Sequence, residues 1–250
     1  PNNLRTGGTF DLFLVAPYFN KQPRVENMAL VGLAAGTVAK QYTAVYGALP
    51  IDGIEIDPAV VDVGRRYFDM TEPNLNVIVG DGRWELEQLP GRYSVIGVDA
   101  YRPPYIPWQL TTREFFETVR GHLTDDGALV INVGRTPSDR RLIEALVGTL
   151  KAVFPSVHVV DVPNTGFNSM VYATMQRDAF TMSDRLAALV ASQPGDPSVP
   201  AAIDNAFRIK RRRARDLASK SMVDERLIAR DAGFGLAQGG EHLVGVITDG

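Results

Sequence analysis

The sequence contains no cysteine and only three histidines among its 250 residues. Disulfide bonds and thiol catalysis are therefore excluded, and a histidine-rich metal site is not expected. No apolar run approaches the length of a membrane span, and no signal peptide opens the sequence. The net charge of −3 provides no overall attraction to nucleic acid or to an anionic membrane. The remaining composition, 45% hydrophobic and 22% charged, is ordinary for a globular protein.

Short apolar runs alternate with helical patterns over the first 175 residues or so. Strands are predicted at 28–31, 51–56, 76–79, 94–98, 127–133, 156–162 and 168–175. This alternation predicts a parallel, right-handed, doubly wound sheet. The last two strands have no helix between them, so one of them should run antiparallel. The predicted fold is therefore α/β, with a mostly parallel seven-stranded sheet and one antiparallel strand.

Helices are predicted at 9–19, 36–47, 58–67, 83–89, 111–123 and 138–152. Asp57 followed by Pro58 is typical of a helix start, and Thr111 with Glu114 forms a capping-box pattern. These elements predict a Rossmann domain over 1–178, with a lead-in over 1–25.

After about residue 178 the pattern changes to helices without strands, which predicts a C-terminal helical extension over 179–250 packed on the Rossmann domain. The basic run 210–215 within it is interpreted as a solvated helix face rather than a contact for acidic lipid or nucleic acid.

Acidic residues stand at the carboxyl ends of three consecutive predicted strands: Glu55, Asp81 and Asp99. In an open parallel sheet, ligands bind in the crevice outside these ends. Glu55 lies where such folds place an acid that accepts hydrogen bonds from both ribose hydroxyls, and Asp81 can accept one from an adenine amino group. Each of them also has an ordinary alternative: Glu55 could be a surface acid, Asp81 part of an Asp-Gly turn, and Asp99 part of an Asx-turn. Together they favour one binding crevice.

The turn after the first strand, Gly32-Leu33-Ala34-Ala35-Gly36, consists mostly of small residues. Small residues let a ligand approach the backbone and the next helix, although they also serve plain helix–strand packing. The third glycine of the dinucleotide-binding pattern GxGxxG is missing, or its place is taken by Val38. The array therefore favours a nucleoside without phosphates, such as the sulfonium S-adenosylmethionine, whose positive charge the acids complement.

Six motifs in combination resemble the spermidine synthase (polyamine aminopropyltransferase) family: VGLAAGTVA, GIEIDPAVVDVGRRYF, NVIVGDGR, YSVIGVDAY, LTTREFF and DGALVINV. The resemblance covers roughly residues 6–175. It is closest to divergent spermidine synthase-like domains, some of which are fused to membrane transporter-like segments. It implies the class I methyltransferase-like Rossmann fold.

The resemblance also implies a role for each site residue. Glu55 would hold the ribose, Asp81 the adenine, and Asp99 would orient and deprotonate the attacking amine. The loop 100–107 would be the gate over the substrate, with an acceptor side comprising Tyr101, Arg102 and Tyr105. The nucleoside side comprises Gly32, Ala34, Gly36, Glu55, Asp81 and Gly82. The co-substrate is expected to be decarboxylated S-adenosylmethionine or S-adenosylmethionine itself, with no metal.

The sequence departs from the family pattern in its polyamine half. Ala35 stands where the family usually carries an aspartate for the donor's primary amine. Arg102 stands where the gate loop usually carries a second aspartate, and the family's small N-terminal β-domain is absent before Pro1 or was cut away. The nucleoside half of the site is thus expected to be intact and the polyamine half degenerate.

The function predicted first is transfer of an aminopropyl-type group to an amine. Ala35 favours a rival, an S-adenosylmethionine-dependent methyltransferase, and Arg102 favours a non-catalytic nucleoside-binding domain of a larger protein. The expected partners are a small nucleoside and an amine, without nucleic acid. A homodimer and a fusion to membrane segments outside this chain stay open. The expected location is the cytoplasm, or the cytoplasmic side of a membrane protein.

Overall fold

The computed structural model describes residues 6, 8–20, 24–101, 106–136, 138–162 and 167–176, together with the backbone of 246–248. Two of the predicted gate residues, Arg102 and Tyr105, lie outside this part of the chain. So do the basic run 210–215 and the predicted helical extension 179–250, apart from its three residues at 246–248.

The eight strands of the described chain form one sheet in the order β3-β2-β1-β4-β5-β7-β6-β8. Their bounds are β1 Met28–Val31, β2 Ile51–Glu55, β3 Leu75–Val79, β4 Tyr93–Val98, β5 Leu123–Gly134, β6 Ser156–Asp161, β7 Asn168–Thr174 and β8 Val246–Thr248. Seven of them match the predicted strands, with the largest shift at the start of β5. The eighth was not predicted, because its segment was assigned to the helical extension.

The directions of the first seven strands agree with the prediction. β1 to β5 pair in parallel. β7 runs antiparallel to β5 and to β6, as expected for strands joined without a helix. The short β8 pairs antiparallel with β6 at the sheet edge. Because the strand order reverses between β1 and β4, the crevice of this fold lies at their carboxyl ends.

The helices are α1 Thr9–Phe13, α2 Thr37–Tyr46, α3 Pro58–Tyr67, α4 Gly82–Gln88, α5 Arg113–Gly121 and α6 Arg141–Lys151, and two 3₁₀ turns span Ala16–Phe19 and Trp108–Leu110. The predicted single helix over 9–19 is divided in two. Pro17 lies in the second part, and its missing amide hydrogen cannot continue an α-helical ladder.

The predicted caps hold for α3 and shift by one residue for α5. The Asp57 carboxylate accepts a hydrogen bond from the amide of Ala59 at 2.8 Å, and Pro58 opens α3. At α5 the cap is Thr112, which accepts from the amide of Phe115. The capping box expected from Thr111 does not form, because the hydroxyl of Thr111 donates to the carbonyl of Trp108 at 2.8 Å.

Two hydrophobic layers cover the two faces of the sheet. One layer includes side chains from α1, α2 and α3, such as Phe13, Tyr42 and Val61. The other includes side chains from α4, α5 and α6, with Phe115 and Leu146 fully or almost fully buried. The fold is therefore doubly wound, and both faces of β1 and β4 are buried. Among the helices that the structure describes, none is long and apolar enough to cross a membrane.

Candidate active site

A cavity of about 910 Å³ opens at the carboxyl ends of β1, β2, β3 and β4. Its volume is within the range of small-molecule sites in proteins. The predicted residues Gly32, Ala34, Glu55, Asp81, Gly82, Asp99 and Tyr101 all line it. The structure therefore brings together the acids that the strand-end argument placed in one crevice.

Gly32 is the point where the turn after β1 passes the end of β4. Its φ angle is +91°, and a Cβ atom there would lie 2.5 Å from the carbonyl oxygen of Asp99. Only glycine fits, because both the backbone angle and the contact exclude a side chain. Gly36 has a φ of +81° and precedes α2. The small residues of this turn therefore bring the backbone of Asp99 close to the first strand.

Glu55 holds the same turn from the neighbouring strand. One carboxylate oxygen accepts a hydrogen bond from the amide of Ala34 at 2.8 Å, and the other accepts from the amide of Asp57 at 3.1 Å. Ala34 has a positive φ of 48°, which is uncommon for alanine. A carboxylate can accept about four hydrogen bonds, so both oxygens of Glu55 keep capacity for ligand hydroxyls.

Asp81 is the N-cap of α4. Its Oδ1 accepts hydrogen bonds from the amides of Arg83 and Trp84 at 3.0 and 3.2 Å. Asp81 therefore has the local structural role that its ordinary alternative, an Asp-Gly turn, implies, here as the cap of a helix. Among the described residues no donor reaches its Oδ2, and Asp81 lines the cavity. One oxygen serves the helix while the other is available to a ligand.

Asp99 follows β4 directly, and its amide donates to the carbonyl of Val31 at 2.8 Å. The side chain is half-buried, and the Nδ2 of Asn132 donates to its Oδ1 at 2.9 Å. Burial raises the pKa of Asp99 above its ordinary value, and the hydrogen bond from Asn132 partly opposes this rise. Asp99 thus lines the cavity as a carboxyl group whose affinity for a proton is increased.

Tyr101, predicted for the gate, is anchored on β5. Its hydroxyl donates to the carbonyl of Asn132 at 2.8 Å, and its ring lies 3.6 Å from the position of a Cβ atom built on Gly134. Burial raises the pKa of Tyr101, opposed by a backbone hydrogen bond at Gly134 and assisted by the charge of Asp99. The phenol therefore stays protonated at neutral pH. Tyr101 is therefore fixed against the sheet.

Sequence reasoning missed two groups of site residues. The segment 108–110, just after the predicted gate loop, lines the cavity, and Trp108 within it is 76% exposed. A tryptophan after three prolines and before a helix start was the available signal. Asn132 was also missed, although an amide within the apolar run ALVINV is conspicuous. Within the described ranges, no group of three or more histidine, aspartate or glutamate side chains could hold a metal ion.

The close approach at Gly32 leads to a prediction about stability. We expect Gly32→Ala to lower the free energy of unfolding by about 2–4 kcal/mol, since it adds a backbone collision to the strain of a positive φ. Gly47→Ala is the matched control, because Gly47 has a φ of +88° but open space around its Cβ position. The backbone angles of Gly47, φ +88° and ψ −175°, lie in a region essentially confined to glycine, so the control should lose about 1–3 kcal/mol from strain alone. Chemical denaturation measures both, and equal losses would contradict the collision.

The sheet order, the parallel strands and the crevice at β1 and β4 define the class I methyltransferase-like Rossmann fold. A family model, the spermine/spermidine synthase domain, matches residues 22–184. This match covers more than half of the sequence, and the chain therefore belongs to that family. The resemblance inferred from the six motifs is confirmed.

The chain is similar to proteins of this family and of the wider fold class. It is 37% identical over 164 residues to a probable polyamine aminopropyl transferase of Bifidobacterium longum, covering 64% of this chain and 36% of that relative. A spermidine synthase in complex with the transition-state analogue AdoDATO has a TM-score of 0.61 at 18% identity, over 70% of this chain and 62% of that one. Human methyltransferase-like protein 13 in complex with SAH has a TM-score of 0.61 at 21% identity, over 80% and 89%.

Proposed function

We propose that the protein transfers an aminopropyl-type group from a sulfonium nucleoside, decarboxylated S-adenosylmethionine, to an amine acceptor. The observation that carries this proposal is the convergence of Glu55, Asp81 and Asp99 on one cavity from three strand ends. Two of these acids suit the hydroxyl and amino groups of a nucleoside, and the third suits a cationic reaction centre. Membership of the spermine/spermidine synthase family supports the same reaction class.

The chemistry requires a neutral amine and a carbon bonded to the sulfonium sulfur. The amine lone pair attacks this carbon, the new N–C bond forms, and the C–S bond breaks with its electron pair remaining on sulfur. The products are a neutral thioether nucleoside and an alkylated ammonium, whose proton passes to Asp99. Because burial raises the pKa of Asp99, this carboxylate is a stronger base than an exposed aspartate. Its position at the end of β4 also orients the amine.

The nucleoside half and the polyamine half of the site differ in character. The nucleoside half keeps its acids, Glu55 and Asp81. In the polyamine half, Ala35 replaces the acid for the donor's primary amine, and Arg102, outside the described residues, replaces the acid of the gate loop. We therefore propose that the polyamine half of the site is degenerate. Ala35 also supports a second candidate, methyl transfer from S-adenosylmethionine, because nothing at this position then selects the decarboxylated donor.

We expect 5′-methylthioadenosine to bind and to raise the melting temperature. Glu55→Ala and Asp81→Ala should each weaken binding by about 1.5–3 kcal/mol, because each removes a charge-assisted hydrogen bond to the nucleoside. Calorimetric titration of the three proteins measures the effect. Equal affinity in all three would remove the nucleoside site from the proposal.

Two control variants separate binding from helix capping. Asp57→Ala removes the N-cap of α3. Because Asp57 itself does not line the cavity, this variant should lose about 1 kcal/mol of stability without weakening binding. Asp81→Asn keeps a capping side chain at α4 but loses the negative charge, so it should lose affinity with little loss of stability.

A donor competition between S-adenosylmethionine and its decarboxylated form distinguishes methyl from aminopropyl transfer. Binding without turnover of either donor selects the non-catalytic alternative.

A further inference from the structure

Asn132 is a buried amide at the end of an apolar strand. It is 8% exposed, and its neighbours Ile131 and Val133 are buried hydrophobic side chains. A buried amide is costly unless its polar atoms are paired. Its Nδ2 donates to Asp99 Oδ1 at 2.9 Å, and its Oδ1 accepts from the Nδ2 of Asn168 at 2.9 Å. Both ends of the amide are thus engaged in one line of hydrogen bonds that ends at the carboxylate.

The partners determine which way this amide faces. An ionised carboxylate can only accept, so the side of Asn132 that faces Asp99 has to be its NH₂ group. The oxygen then faces Asn168, whose own NH₂ donates to it. The backbone of Asn132 is held as well, because its carbonyl accepts from the hydroxyl of Tyr101. The amide therefore has one orientation and one rotamer, supported from β7 and from the gate.

The same geometry distinguishes the two oxygens of Asp99. Oδ1 is engaged by Asn132, and among the described residues no donor reaches Oδ2. We infer that Asn132 and Asn168 are positioning residues for the proposed transfer: they hold Asp99 so that one chosen oxygen meets the amine. This inference rests on the proposed function, since Asp99 needs a defined orientation only if it receives a proton.

The hydrogen bond from Asn132 also lowers the pKa of Asp99, against the rise that burial causes, and so favours the ionised carboxylate. The other titratable or charged groups around Asp99 are Tyr101 at the gate, Glu55 and Asp81 across the cavity, and the ion-paired Arg135 and Asp161 at the ends of β5 and β6. Arg102 lies outside the described residues. None of the variants proposed below alters these groups.

The decisive measurement is the titration of the Asp99 carboxyl carbon by ¹³C NMR, with the signal assigned by its loss in Asp99→Asn. In Asn132→Ala the pKa of Asp99 should rise by about one unit, a tenfold change in the proton equilibrium, because burial remains and the donor is lost. Asn168→Ala should shift it in the same direction by less. An unchanged titration in Asn132→Ala overturns the inference, whether or not the protein transfers anything.

Kinetics supply the second readout. In Asn132→Ala the acid limb of the kcat/KM profile should shift to higher pH, in step with the pKa of Asp99. On the alkaline plateau, kcat should fall about tenfold to a hundredfold. The KM for the donor should stay unchanged, because Asn132 does not line the cavity. Asn168→Ala, at a less buried site, provides the same test with a smaller loss if Asn132→Ala fails to fold. If Asn132→Ala lowers the stability but leaves the acid limb at the same pH, Asn132 has only a structural role, and the inference is overturned.

The chain offers a matched control. Asn76 on β3 also donates from Nδ2 to an aspartate, Asp52, at 2.8 Å, but at an exposed place outside the cavity. Asn76→Ala should leave the Asp99 titration and the transfer rate as in the wild type. If the wild type transfers no group from either donor, the proposed function fails, and the titration still decides whether the amides act on Asp99.

Discussion

Asp99→Asn will abolish transfer, with a loss of about 10²–10⁴-fold in kcat, and will leave the affinity for 5′-methylthioadenosine almost unchanged. Asparagine keeps the shape of the side chain and can still accept from Asn132, but it has no basic oxygen for the amine proton. The measurement is single-turnover transfer with saturating donor, combined with titration of the nucleoside. Undiminished turnover would mean that another group is the base, or that the amine arrives already neutral.

The same variant should be more stable than the wild type at neutral pH. Burial raises the pKa of Asp99 in the folded protein above its value in the unfolded chain. Ionisation therefore opposes folding, and the loss of stability develops as the pH rises from the unfolded pKa through the folded one. Below the ordinary carboxyl range, wild type and Asp99→Asn should melt alike. A difference in melting temperature that grows with pH would identify Asp99 as a group whose function costs stability.

Putrescine and decarboxylated S-adenosylmethionine will yield little or no spermidine with this protein. Putrescine is a dication near neutral pH, since alkyl amines titrate near ~10. The sequence provides Arg102 where the family has an aspartate, and guanidinium stays protonated in proteins. A like charge about 4 Å from the far ammonium would cost on the order of 4 kcal/mol at an effective dielectric near 20, which suppresses use roughly a thousandfold. Arg102 lies outside the described residues, so this expectation rests on its charge.

The double variant Ala35→Asp with Arg102→Asp should increase spermidine formation, because it restores both acids of the family pattern. The two single variants and Arg102→Ala separate the removal of a positive charge from the gain of a carboxylate. Spermidine formed per minute with donor in excess is the quantity to compare. Wild-type turnover of ~1 s⁻¹ or faster, ordinary for an enzyme, would contradict a degenerate polyamine half. Arg102 paired with the carboxyl group of undecarboxylated S-adenosylmethionine would instead favour methyl transfer.

Much of the fold could be predicted from local patterns. Apolar runs of strand length between helical patterns identified seven strands, and the missing helix between the last two of them indicated that one runs antiparallel, which the structure shows to be β7. The gathering of Glu55, Asp81 and Asp99 was also predictable, since parallel strands bring their carboxyl ends to one edge of a sheet. The roles of these acids toward ribose, adenine and amine remain predictions.

Errors in the sequence-based prediction arose where two local signals competed. The helix over 9–19 has apolar spacing throughout, but Pro17 interrupts its hydrogen-bond ladder. At α5 either Thr111 or Thr112 could cap the helix. The hydroxyl of Thr111 donates to the carbonyl of Trp108 instead, so Thr112 is the cap. Such choices depend on which partner comes within hydrogen-bond distance, and the sequence does not state distances.

The sequence by itself determined the order of strands and helices, the acids at the strand ends and the small residues of the first turn, because each depends on neighbours along the chain. Only the tertiary structure decided that Gly32 touches the backbone of Asp99, that Tyr101 is fixed on β5, and that Asn132 donates to Asp99. These contacts join β1, β4 and β5, which meet through the pairing of strands in the sheet and are distant from one another in sequence. The burial that raises the pKa of Asp99 arises in the same way, from side chains that converge only when the sheet is complete.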